Sequence, residues 1–220
     1  MFMRALILAV ALVPSAFAQV AAPTLTPGQS WTYREINGYN GLQRGIVVRE
    51  VTTAANGDIR VVSRSGEGKQ LDEARFEQAG LLREGVLNDR ARGVLTPALA
   101  LYPFPLTEGR RWSQTVSRDD PEWREKRAVR VDGRVLGWET VRVPAGEFKA
   151  LKIERRMWLG DRDPFRNETW RTETEWYVPE LKAPAKLTVR EQYREYQLVI
   201  GSFLPGEWYT LELTTHKPSS

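Results

Sequence analysis

From Ser30 onward, apolar and polar positions alternate along most of the chain, the period of a strand with one dry and one wet face. Trp31, Tyr33 and Glu35 oppose Thr32, Arg34 and Ile36, and an extended run, LQRGIVVREVTT, fills 42–53. Asn37-Gly38 and Asn40-Gly41 mark the turn between them. Asn56-Gly57 is the strongest hairpin signal, because both central residues of a type I′ turn need φ > 0. It leads into a strand at 59–62. Strands at 71–78 and 81–87, parted by Ala79-Gly80, complete a five-strand meander.

The stretch 91–111 has neither period. Pro103 and Pro105 remove two ladder donors and hold Tyr102 and Phe104 extended. The pattern predicts a crossing connection with one helical turn near 96–101, which links two sheet halves or lies over an opening. Alternation then resumes at 111–116, 126–131, 138–143, 150–159, 168–177, 186–196 and 207–215, with Asp132-Gly133 read as a turn. Eleven or twelve strands and little helix follow. The class is all-β: one large curved antiparallel sheet, a half-barrel or open barrel.

Within this pattern, VRVPAGEFKALKIERR (141–156) reads as strand, corner and strand. Pro144 fixes φ, Gly146 is free to take φ > 0, and Val141 and Val143 share a face. Beyond the corner, Leu151, Ile153, Arg155 and Met157 alternate with Lys152, Glu154, Arg156 and Trp158. One face is largely apolar and the other charged.

Together with LYPFPLTEGRRW (101–112) and TETEWYVPELKAPAKLTVREQY (172–193), this segment resembles a group of uncharacterised exported proteobacterial proteins. Their domains look like the wrapped, half-open antiparallel sheets of the periplasmic lipoprotein carriers, the LolA/LolB-like fold. The resemblance spans about 28–197 and rests on turns and strands. It implies a fold, and it brings no catalytic residue with it.

The first residues indicate a compartment. Arg4, an apolar run at 5–13, the Pro14-Ser15 break and Ala16-Phe17-Ala18 make a secretory signal peptide cleaved after Ala18. Nine apolar residues are too few for a membrane span, which needs about 20. Removing 18 residues from 220 leaves 202, read as a single β domain at 19–220 and ordered over about 28–217. The expected localisation is the periplasm, as a soluble protein. With no cysteine the chain can take neither a diacyl anchor nor a disulfide, so its stability rests on its core.

The 32 basic and 28 acidic side chains leave a formal +4, or +3 without Arg4. They are interleaved, and no basic block tracks a phosphate backbone, which argues against nucleic acid.

Catalytic chemistry is sparse. His216, the only histidine, falls in the C-terminal tail, read as a frayed end where no triad or zinc site can be built. The D-x-D of Asp161 and Asp163 lacks the third ligand and the glycine of a calcium loop and reads as a hairpin turn. Asp119-Asp120-Pro121-Glu122 is likewise a turn, and Asn167-Glu168-Thr169 a chance sequon. Glu173, Glu175, Glu191 and Glu195 lie near Arg171, Arg190 and Arg194, which suggests cross-strand ion pairs on a solvated face. No cofactor and no metal are expected.

Eight tryptophans exceed what a Val/Ile/Leu core requires. Trp170, Thr172, Thr174 and Trp176 share one strand face, while Trp158 opposes Met157 and Trp208 alternates with Tyr209. The expectation is a hydrophobic concavity or rim formed by Tyr102, Phe104, Met157, Trp170, Trp176 and Trp208. Its partner would be a lipid, a lipidated protein or an extended apolar peptide, with transient contact to a membrane surface. Two other classes compete: an envelope interaction module that pairs through a sheet edge, and a glycan-acting enzyme with two converging carboxylates.

Overall fold

The computed structural model describes residues 19–87, 92–120, 125–159, 166–195 and 203–218. Among them there is no α-helix; the one helical element is a 3₁₀ turn at Pro179–Leu181. The signal-peptide segment, Pro121-Glu122 and the Asp161/Asp163 loop lie outside the described residues.

Twelve strands form the wall. The first six are β1 (Ser30–Asn37), β2 (Gln43–Ala55), β3 (Asp58–Ser65), β4 (Gln70–Gln78), β5 (Leu81–Val86) and β6 (Arg92–Ala100). They are followed by β7 (Arg111–Asp120), β8 (Glu125–Val143), β9 (Gly146–Leu159), β10 (Arg166–Val178), β11 (Ala183–Glu195) and β12 (Leu204–Lys217). Each pairs antiparallel with the next, and β1 pairs with β12. The sheet is therefore a closed barrel rather than the half-open one expected. Closure removes the free edges that a wide sheet would otherwise expose.

Two local expectations fail for physical reasons. Asp132-Gly133 is not a turn, because β8 runs through it. A Cβ on Gly133 would overlap the Trp112 indole from β7, so this glycine is a packing site and not a bend. The helical turn near 96–101 is the second half of β6. Pro97 has no N–H, and the β6–β7 ladder ends at Thr96↔Ser117.

Side chains replace the ladder beyond that point. The Ala100 N–H donates to Gln114 Oε1 at 2.8 Å, Gln114 Nε2 donates to the Ala98 carbonyl at 3.0 Å, and Trp112 Nε1 donates to the Ala100 carbonyl at 3.0 Å. Gln114→Ala strands a donor and an acceptor in the wall and should cost about 1–3 kcal/mol. Urea unfolding checks this, and a loss below about 0.5 kcal/mol would mean that the side-chain bridge contributes little.

The PAG corner forms as read, joining β8 to β9 with Val141↔Phe148 and Val143↔Gly146 in register and Gly146 at φ 134. The Ala145 N–H also donates to the Leu213 carbonyl of β12, so the hairpin tip leans across one end of the barrel. There Trp31, Tyr33, Val141, Ala150, Val178, Leu211 and Leu213 form one buried cluster. The opposite wall is packed by Leu82, Leu95, Leu99, Val116, Val129, Val131 and Met157. A third cluster gathers Val20, Leu106, Val135, Leu151, Ile153 and Tyr177. Twelve strands exceed the roughly eight that side chains alone can fill, and cavities remain between the clusters.

Candidate functional site: the barrel lumen

One end of the barrel is covered by the proline-rich connection between β6 and β7. Leu101 and Tyr102 N–H groups both donate to the Gly80 carbonyl, and Val20 pairs with Leu106 through two 2.8 Å hydrogen bonds. Tyr102 stacks on Phe104 with ring centres 5.9 Å apart, and both rings pack on Tyr177. The connection thus forms an aromatic floor over an opening, one of the two roles foreseen for it.

Three cavities follow one another inward from this floor. A pocket of about 120 Å³ lies among Trp31, Tyr33, Val61, Phe76, Tyr102 and Tyr177. A second, of about 190 Å³, adds Ala74, Leu82, Leu101, Met157 and Leu187 to a set of charged groups. The third, of about 560 Å³, reaches the far end of the barrel past Val47, Leu71, Tyr193, Pro205 and Tyr209. Val61, Phe76 and Tyr102 border both the first and the second; Ser63, Asp72 and Arg171 border both the second and the third. Among the described residues, Arg49 alone lines all three.

Charged groups cross the lumen on β9, β10 and β11. Arg155 is 2 % exposed, Glu173 6 % and Glu175 4 %, so Glu173, Glu175 and Glu191, foreseen on a solvated face, are inside the barrel with Arg171, while Arg190 stays outside. Arg155 donates Nε and Nη2 to Glu173 at 3.0 and 2.7 Å, Nη2 also to Glu175, and Nη1 to the Leu101 carbonyl at 3.1 Å. Arg171 donates to Glu173 at 2.7 Å, Glu191 at 2.9 Å, the Leu87 carbonyl at 2.7 Å and Tyr209 Oη at 3.3 Å. The Tyr102 hydroxyl closes the chain by donating to Glu175.

Environment sets the protonation of these groups. Burial would raise Glu173, but Arg171 and Arg155 outweigh it and hold the carboxyl at about 2. Burial pushes Glu191 above the usual carboxylate range despite Arg171. Tyr102 is raised by burial and by the Glu175 charge, so its phenol keeps its proton.

The six residues expected to form one concavity are divided between the two sides of the wall. Met157 is buried in the inner cluster, and Tyr102 and Phe104 form the floor. Trp170, Trp176 and Trp208 share the outward face with Thr172 and Thr174, because strand alternation puts Glu173, Glu175 and Tyr209 inside.

On the outer wall cations cover the tryptophan rings. Lys152 and Lys186 lie over Trp176 at 5.2 and 5.7 Å, Arg156 over Trp170 at 6.0 Å, and Arg190 over Trp208 at 5.1 Å. The surplus of aromatics is thus partly an exterior feature. With Arg134, Lys152, Glu154, Arg156 and Arg190 facing outward on β8, β9 and β11, this wall is no lipid-facing apolar band. His216 is not frayed; it sits in β12, stacked on Trp31 with ring centres 6.1 Å apart.

Sequence reasoning missed Arg49, Asp72 and the full Arg155 network. The signal for Arg155 was present, since it falls in step with Leu151, Ile153 and Met157 on the dry face. Arg49 was equally placed, between Val47 and Val51.

No protein-family model matches the chain, and no curated protein matches it. Among solved structures, it is similar to a lipoprotein candidate from Parabacteroides distasonis, with a TM-score of 0.51 at 14% identity over 89% of this chain and 97% of that one. An exported-protein candidate with a YmcC-like fold from Bacteroides fragilis gives 0.43 at 14% identity, over 91% of this chain and 100% of that one. The hypothetical lipoprotein YmcC from Escherichia coli gives 0.45 at 14% identity, over 88% of both chains. The first likeness shows a shared fold.

Proposed function

We propose that this chain is an exported, non-enzymatic binding protein that holds the apolar part of a lipid, a lipidated chain or an extended apolar peptide inside its barrel. The observation that carries this reading is the run of adjoining cavities from the Tyr102–Phe104 floor to the far end, walled near the floor by aromatic and aliphatic side chains and by charged groups beyond them. Export rests on the pattern of residues 1–18. The alternatives have less support. Closure leaves no free edge for strand addition among the described strands, and Arg155 and Arg171 hold all three buried glutamates in ion pairs, unlike a glycosidase pair.

The test separates the inner from the outer surface. Ser63 faces the second and third cavities, and Ser63→Phe fills that space without touching the floor. The protein is purified from a periplasmic extract and examined by native mass spectrometry with lipid extraction. The parent and Trp170→Ala/Trp176→Ala should retain a bound acyl species, and Ser63→Phe should lose at least about nine-tenths of it, a tenfold weakening. Loss in the tryptophan variant with retention in Ser63→Phe would move the site to the outer wall. A clean apo mass for the parent would overturn the reading.

A further inference from the structure

Among the described residues, three arginines face the lumen's central cavity, and two of them are fully engaged. Arg155 and Arg171 each spread their donors over two carboxylates and a backbone carbonyl. Arg49 differs. Among the described residues it forms no ion pair and no hydrogen bond, and its guanidinium lies over the Tyr33 ring at 5.5 Å. An arginine fork carries five N–H donors, and in a partly buried place these ordinarily find acceptors.

Its position is set by register. Trp31, Arg49, Ser63 and Asp72 follow one another across β1, β2, β3 and β4. Asp72 is the lumenal acid in that row, two strands from Arg49, and no ion pair joins the two. Burial pushes the Asp72 carboxyl above its ordinary value, and the nearby Arg49 charge offsets only part of that rise. Arg49 therefore presents a cation to the point where all three cavities meet. Toward the floor lie Tyr33, Val61, Phe76, Tyr102 and Tyr177; toward the far end the lining becomes polar, with Arg44, Glu35 and Glu207 already paired among themselves.

We infer that Arg49 is the anchor for an acidic head group, a carboxylate or a phosphate, on a single-chain amphiphile whose apolar tail runs toward the Tyr102–Phe104 floor. This deepens the lumen-binding reading and depends on it. A bidentate contact to either head group satisfies donors that the protein leaves open, and the low-dielectric surroundings strengthen the pair. The small volume beyond Arg49 suits one chain rather than a branched lipid.

The experiment titrates the mature protein with dodecanoate, dodecyl phosphate, dodecan-1-ol and inorganic phosphate, each below any micelle concentration, by calorimetry. Both acids should bind about ten- to a hundredfold tighter than the alcohol, the range of a charge-assisted hydrogen bond, and inorganic phosphate should bind too weakly to measure. Arg49→Gln should bring the acids to the alcohol's affinity and leave the alcohol unchanged, while Arg49→Lys should keep part of the preference. Far-UV circular dichroism and the melting temperature confirm that the variants are folded.

Equal affinity for acid and alcohol, or acid binding untouched by Arg49→Gln, overturns the assignment of Arg49 and leaves the lumen reading standing. Inorganic phosphate binding as tightly as dodecyl phosphate overturns the tail and leaves a bare anion site. Failure of the parent to bind any of the three amphiphiles overturns the lumen reading itself.

Discussion

Arg155→Met destabilises the fold by about 3–5 kcal/mol, the expected loss when one partner of a buried ion pair is removed. Methionine matches much of the arginine's length and fits among Leu101, Met157 and Leu187, so the cost is not one of volume. It arises because Glu173 keeps only Arg171, and Glu175 keeps only the Tyr102 hydroxyl, at sites 6 % and 4 % exposed. The Leu101 carbonyl also loses its donor, which loosens the connection that floors the lumen.

A rescue distinguishes charge from packing. Arg155→Met/Glu173→Gln/Glu175→Gln removes the stranded charges and should recover more than half of the loss in urea unfolding, since well-packed neutral replacements of buried ion pairs are often neutral or stabilising. Arg171 then keeps Glu191 alone among the carboxylates. A single variant within about 1 kcal/mol of the parent would mean that water or a protonated glutamate already relieves the site.

Much of this architecture is legible in the residue pattern, and the failures have identifiable causes. Period two along 141–159 gives both the corner and the dry face, because Val141, Val143, Leu151, Ile153 and Met157 fall in step. The strand count agrees through two compensating differences. Gly133 imitates a turn because a packing glycine and a bending glycine look alike in sequence, and Pro97 hides β6 because a proline ordinarily breaks a ladder. Closure has no local signal at all: it depends on β1 meeting β12, as in the Arg34–Glu212 pair across 178 residues.

The lumen is legible only in part, because alternation divides a strand into two faces without saying which is inside. On β10 one face carries Trp170, Thr172, Thr174 and Trp176, and the other Arg171, Glu173, Glu175 and Tyr177. Burial preference favours the tryptophans as the inner face. The ion pairs to Arg155 reverse it: acids from β10 meet a base from β9 inside, and cations from the neighbouring strands cover the tryptophans outside. Two strands that each look misassigned alone are mutually consistent only as a pair.

The same network sets the acid limb of stability. Glu173 has a folded pKa of about 2 against an ordinary 4.5, so its contribution is fully present above about pH 4.5 and is lost as the pH falls toward 2. Its size is on the order of 3 kcal/mol, since a tenfold change in proton affinity corresponds to about 1.4 kcal/mol. Glu191 acts with the opposite sign. Burial raises its pKa, so its protonated form is favoured in the folded state, and its contribution is present at low pH and declines as the pH rises through the raised value. Asp58 and Glu139 are also lowered, but they lie at the surface, where solvent screens the effect. Stability measured by urea at successive pH values isolates the buried contribution as the difference between the parent and Glu173→Gln. The parent's advantage over Glu173→Gln should shrink by about 3 kcal/mol between pH 5 and pH 2. Glu191→Gln, which removes the opposing contribution, should show a steeper fall toward low pH than the parent. Parallel curves for the parent and Glu173→Gln would place the acid sensitivity on the surface carboxylates and take the buried arginines out of the account.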